Sequence, residues 1–148
     1  ILTKKEIRKN LLFLAIAFNG LALSSCNKDQ AAVKKLDGTW NVTEYTLESG
    51  WVSVDVLTGG IDYAFTFENC KLKKEEWCSM STTATLGAIT STTTQVYQVS
   101  GDGTVLESKE DAASSGSATM TIVELSKTEV TFEDVDGSTT STIKATKQ

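Results

Sequence analysis

The chain contains no proline and no histidine, three cysteines and a single arginine, Arg8. Without histidine, Ser-His and Cys-His nucleophile pairs and every imidazole-ligated metal site are excluded together. Without proline, chain reversals must rest on Gly, Asp, Asn and Ser. Long apolar runs are lacking too: the longest, Leu11 to Phe18 (LLFLAIAF), stops at Asn19-Gly20, whereas a spanning helix needs about 20 apolar residues. Basic charge is sparse after the first 25 residues. Those residues hold Lys4, Lys5, Arg8 and Lys9 against Glu6, or +3 of a total of −5, so the rest carries −8. An acidic domain with scattered lysines offers no stripe to track a phosphate backbone, and no nucleic-acid partner is expected. Its net charge is also repelled by an anionic bilayer, so membrane attachment would need a covalent or apolar anchor.

What is present at the N-terminus is a basic start (TKKEIRKN), the short apolar run, and the small residues Ser24 and Ser25 before Cys26. That is the layout of a secretory signal peptide. The alternative, a helix of the folded core, is disfavoured because Leu11 to Phe18 is apolar all round. Leu23-Ser24-Ser25-Cys26 resembles the lipobox of bacterial lipoprotein precursors: an aliphatic residue, two small residues and a cysteine. The resemblance implies cleavage before Cys26 and acylation of its thiol and new amine. Two or more acyl chains anchor stably where one binds reversibly, at about 0.8 kcal/mol per buried CH₂. Asn27 rather than Asp after the cysteine implies an outer-membrane lipoprotein. The start at Ile1 rather than Met is expected to reflect an alternative start codon or a truncated gene model.

The expected organisation is a signal peptide over 1–25, a lipidated tether over 26–36 and a single domain over 37–148. The tether holds Ala31, Ala32, Val33 and Leu36 at near-helical spacing after a candidate N-cap, Asp29, so it can close with a helical turn. From Thr39 the pattern has period two. In Ile61-Asp-Tyr63-Ala-Phe65-Thr-Phe67 the large apolar side chains share one face, which predicts a half-buried antiparallel strand. Val52, Val54 and Val56 predict another inward face, and Tyr97, Val99, Val105, Met120, Ile122, Val130, Phe132 and Ile143 mark later strands. Ser49-Gly50, Gly101-Asp102-Gly103, Ser126-Lys127 and Asp136-Gly137 are hairpin signals between them. About eight or nine short strands so joined predict an all-β, up-and-down meander closing into a barrel, which removes its edges. The Thr-rich stretch 81–94 lacks large apolar residues and reads as irregular or edge, and Glu110 to Ser117 as a loop.

Gly38-Thr39-Trp40 at the head of this meander resembles the Gly-X-Trp signature of lipocalins and of small lipocalin-like domains on lipoproteins. VSGDGTVLES and IVELSKTEVTFEDVDG resemble the later hairpins of such domains. The resemblance covers about residues 36–148 and implies a small barrel with Trp40 at its closed end. In lipocalins a late-strand arginine stacks on that tryptophan. Here Lys144 or Lys147 must take the place, as a point charge. The C-terminal helix of full-size lipocalins is not expected within this sequence, whose last residues read as a strand.

In an exported protein the remaining two cysteines, Cys70 and Cys78, read as a disulfide. In one straight strand they would lie about 26 Å apart, so bonding requires a turn, which Lys73-Lys74-Glu75 supplies. The alternative is two free thiols in a continuous strand. Neighbouring carboxylates at Glu75-Glu76, Glu110-Asp111 and Glu133-Asp134 point to opposite faces of a strand, and Asp134-Asp136-Gly137 reads as a turn rather than a calcium loop. No enzyme, cofactor or metal site is therefore expected. Trp40, Tyr63, Phe65, Phe67, Tyr97 and Phe132 can line an apolar calyx or fill the barrel themselves, while Trp51 and Trp77 are expected to face outward. The leading expectation is an outer-membrane-anchored binding module for a small apolar ligand. The alternative is an envelope interaction or inhibitor module with a self-filled barrel, using loops near Leu57 to Gly60, Ser81 to Thr94 and Glu110 to Ser117.

Overall fold

The structure, a computed structural model, describes residues 28–68, 70 and 77–148. The signal peptide, Cys26 and the expected turn at Lys73-Lys74-Glu75 lie outside the described residues. A helix, α1 (residues 28–36), precedes nine antiparallel strands: β1 Gly38–Ser49, β2 Val52–Asp55, β3 Ile61–Phe67, β4 Cys78–Leu86, β5 Ile89–Ser100, β6 Val105–Lys109, β7 Ala118–Leu125, β8 Glu129–Asp136 and β9 Thr139–Lys147. From β3 onward each strand pairs with the next, and β9 returns to β1 from Trp40↔Lys147 to Ser49↔Thr139. That last pairing closes an eight-strand barrel, with β2 attached as a flap to the far end of β1.

The expected hairpins at Gly50, Gly101-Asp102-Gly103 and Gly137 turn on left-handed backbone, whereas Ser126-Lys127 turns on the Ser126 hydroxyl, which accepts from Thr128 N and Glu129 N. At the β5–β6 turn, Gly101, Asp102 and Gly103 all have positive φ (62°, 59° and 82°). Gly103 is further constrained, because a Cβ there would lie 3.1 Å from the Lys28 carbonyl oxygen and 3.2 Å from the Ala32 Cβ. The turn has to be bare for α1 to seat on it.

The tether expectation requires correction over residues 28–36. Ala32, Val33 and Leu36 lie on one face of α1 and are buried, Leu36 completely, because that face covers one end of the barrel. Asp29 does not cap its own helix; its Oδ1 accepts from Gly103 N at 2.6 Å. At the other end of the helix, the Trp40 indole donates to the Leu36 carbonyl at 2.6 Å, and Lys147 Nζ donates to the Lys35 carbonyl at 2.9 Å. Side chains of α1 thus belong to the same core as the strands. Burying each of Val33 and Leu36 contributes about 1.5–3 kcal/mol.

Two further expectations change. Val52 and Val54 are exposed and Val56 begins a short 3-10 turn, because β2 pairs with β1 alone and no layer covers it. The Thr-rich stretch forms the regular hairpin β4–β5 about Gly87, held on its outer face by the hydroxyl pairs Thr83–Thr92 and Thr85–Thr90. It is also an edge, since β6 pairs with β5 only from Val96 to Ser100 and leaves 89–95 with one neighbour.

Candidate functional site

The barrel has two unlike ends. At the end closed by α1, Trp40, Phe67, Tyr97 and Phe132 are almost wholly buried. The Phe67 ring packs edge-on to Tyr97 and tilted to Phe132, with centroids 5.0 Å and 6.4 Å away. These four candidate ligand-lining residues fill the closed half of the barrel. Lys147 supplies the cation expected at the tryptophan, its Nζ 5.0 Å from the Trp40 ring centroid, while Lys144 pairs outward with Glu44 at 2.9 Å. Cys70 and Cys78 are disulfide-bonded, their Cα atoms 5.5 Å apart, tying the start of β4 to the chain leaving β3.

The other two candidates lie toward the open end. Tyr63 and Phe65 are half-buried; Phe65 sits edge-on to Phe132 at 6.2 Å, and Tyr63 edge-on to Tyr45 at 5.9 Å. Tyr45 escapes a period-two reading because the β1–β9 register shifts between Val42 and Glu44. That bulge carries Tyr45 onto the same face as Trp40, five residues earlier, and only the pairing reveals it. Alternation along β4 and β5 places Thr82, Ala84, Thr93 and Gln95 on the inward face with Met80. The open half therefore has an aromatic floor and a wall of small and hydroxyl-bearing side chains.

Around this end stand Trp51, Val52, Val54, Leu86, Ile89 and Val135, each at least half exposed and Trp51 fully so (105%). They come from the β1–β2, β4–β5 and β8–β9 hairpins, which all turn at the end opposite α1. Scattered single apolar residues are ordinary on a surface, but their concentration at one end marks a contact surface. The carboxylates Glu48, Asp55, Asp62, Glu133, Asp134 and Asp136 stand on the same end, while Lys109, which ends β6 there, is turned to the Ala112 and Ser114 carbonyls. This mouth suits an uncharged or cationic apolar partner.

The 110–117 loop joins β6 to β7 at this same end. Lys109 Nζ donates to the carbonyls of Ala112 (2.8 Å) and Ser114 (3.2 Å) and sits 4.1 Å above the Trp77 ring, folding the loop onto the wall. Asp111 accepts from Ala113 N and Ser114 N, which holds its carboxyl below the usual carboxylate range.

Among the described residues one buried side-chain group is unsatisfied: the Tyr97 hydroxyl finds no hydrogen-bond partner there. Desolvation, with a smaller contribution from Asp37, raises its pKa above that of an ordinary phenol. Leaving a hydroxyl buried without a partner costs about 1–3 kcal/mol, so Tyr97→Phe is expected to leave stability unchanged or raise it by about 1 kcal/mol. A raised folded-state pKa also means that the unfolded chain loses this proton first. Stability is then intact below about pH 10 and falls as pH rises through the folded-state pKa. Urea titrations at neutral and alkaline pH should show the Tyr97→Phe chain losing less stability in alkali. An equal loss would remove Tyr97 from the alkaline response.

The described chain is an antiparallel eight-strand barrel, plugged by a helix and its own aromatics at one end and open, apolar-rimmed and acidic at the other. Compared with known proteins, it matches no family model and no curated protein sequence.

Proposed function

We propose that this protein is an outer-membrane lipoprotein anchored through acyl chains on Cys26, with a non-enzymatic lipocalin-like barrel that binds a small apolar ligand at its open mouth. The observation that carries the binding reading is the gathering of six exposed large apolar side chains around the mouth, above the half-buried Tyr45, Tyr63 and Phe65. The closed half is already filled by aromatics, so the ligand is held shallowly against the floor rather than enclosed. The anchoring reading rests on the lipobox, and the lipocalin-like reading on Gly38-Thr39-Trp40 heading the first strand. A second reading, an envelope protein partner, is favoured by a different observation: β2 and residues 89–95 of β5 each present an edge with no second strand, suited to strand addition.

The neutral probe N-phenyl-1-naphthylamine tests the mouth, since an anionic probe would be repelled there. The full chain, made in a Gram-negative host, is expected to brighten and bind it, and Tyr63→Ala to weaken binding about tenfold, or about 1.4 kcal/mol. Undiminished binding in Tyr63→Ala removes the mouth from the ligand reading. A co-purified protein released by Ile89→Lys would favour the partner reading. Cys26→Ser is expected to abolish both processing and membrane association; retention of either overturns the anchor.

A further inference from the structure

Although the folded part of the chain is acidic, its positive charge is not evenly spread. Of the seven lysines among the described residues, Lys28, Lys34, Lys35, Lys127 and Lys147 all stand at the α1 end. Lys28 is partnered by Asp102 at 3.8 Å, both exposed. The other four, with Ala31, line a groove of about 460 Å³ between α1 and the β7–β8 turn, and no carboxylate lines it. Its apolar lining comes from Ala31 and the lysine stems, which lets the ammonium groups of Lys34, Lys35 and Lys127 reach outward. Lys147 is fixed in place by the Lys35 carbonyl. Of the acids at this end, Asp29 accepts from Gly103 N and Asp102 pairs with Lys28, while Asp37, Glu68 and Glu129 stand outside the groove lining.

We infer that this lysine-lined face docks on the anionic phospholipid headgroups of the membrane that holds the protein, so that the barrel stands upright with its mouth turned away. The inference rests on the proposed acylation of Cys26. It adds what that reading lacked: Lys28, the first described residue of α1, is two residues beyond Cys26, a reach of at most about 7 Å. An anchor so short brings the α1 end of the barrel, and no other part, within a Debye length of the headgroups. There the groove meets lipid phosphate with its lysines and headgroup carbons with its apolar lining. Each lysine brought to such a surface adds roughly fivefold in affinity. The mouth carboxylates are repelled by the same surface, which reinforces the orientation. The overall charge predicts repulsion from the bilayer, and its placement reverses that expectation for this one face.

The test uses the full chain processed by a Gram-negative host, with intact mass first establishing whether Cys26 carries acyl chains. An environment-sensitive nitrobenzoxadiazole label is placed at Thr128→Cys, beside the groove, or at Ser138→Cys, on the mouth. The protein is then reconstituted in vesicles of phosphatidylethanolamine with a quarter phosphatidylglycerol, or of phosphatidylcholine alone. The label at 128 should brighten severalfold on the anionic vesicles only, and lose that gain in high salt and in Lys34→Glu/Lys35→Glu. The label at 138 should stay water-like on both. An acylated protein whose label at 128 responds equally on both vesicles overturns the docking and leaves the anchor standing. A protein without acyl chains overturns the anchor and the docking together.

Discussion

Replacing Trp40 by alanine is expected to destabilise the protein by about 3–5 kcal/mol, a large part of the 5–15 kcal/mol typical of a whole domain. The indole is wholly buried and joins three elements. Its ring heads β1, its N–H satisfies the Leu36 carbonyl at the end of α1, and its face carries the Lys147 ammonium from β9. Alanine would leave a cavity, an unpaired helix-end carbonyl and a lysine without its ring. Trp40→Phe keeps most of the volume and loses the donor, so it should cost less, about 1–3 kcal/mol. Urea unfolding followed by circular dichroism separates the two. A loss under 1 kcal/mol in Trp40→Ala would show that the indole does not fasten the helix to the barrel.

The second large effect belongs to the disulfide. Cys70 and Cys78 are eight residues apart and close a small loop, worth about 2–3 kcal/mol in the chain-entropy model. Reduction, or Cys70→Ser with Cys78→Ala, should lower the unfolding free energy by that amount, read as an earlier urea midpoint, while the barrel remains folded. The expectation of a folded barrel follows from the packing, because Cys78 enters a core whose aromatic contacts do not depend on the bond. Alkylation without reductant should modify neither residue. Labelling of both thiols in the unreduced protein would contradict the bond.

The two measurements probe different readings of the same sequence. Strand β3 was legible because Ile61, Tyr63, Phe65 and Phe67 alternate with smaller or polar residues, and a half-buried strand imposes that period. The hairpins at Gly101-Asp102-Gly103 and Asp136-Gly137 were legible because few residues tolerate left-handed backbone. Tyr45 was not legible, since a bulge moves a residue across the sheet without a mark in the local pattern. The β4–β5 hairpin was obscured by its composition. Its threonines bury little, and it is held by backbone pairing and hydroxyl pairs that hydropathy does not register.

Helix α1 shows the boundary most sharply. Ala32, Val33 and Leu36 give too few apolar residues to distinguish a core helix from a passing turn in a tether. Their burial depends on a surface assembled from Gly103, Ile122 and Trp40, residues as much as 90 positions away. The lysines of the groove follow the same logic, because Lys34 and Lys35 meet Lys127 and Lys147 only once the barrel closes.

By itself the sequence determined the β period, the turns and the cysteine pair, because each depends on the chemistry of residues close together in the chain. The tertiary structure decided which strand closes the barrel, which aromatics fill it, that residues 28–36 plug it, and where an acidic chain becomes basic. Those features are set by contacts between distant residues, and no local pattern encodes a distance through space.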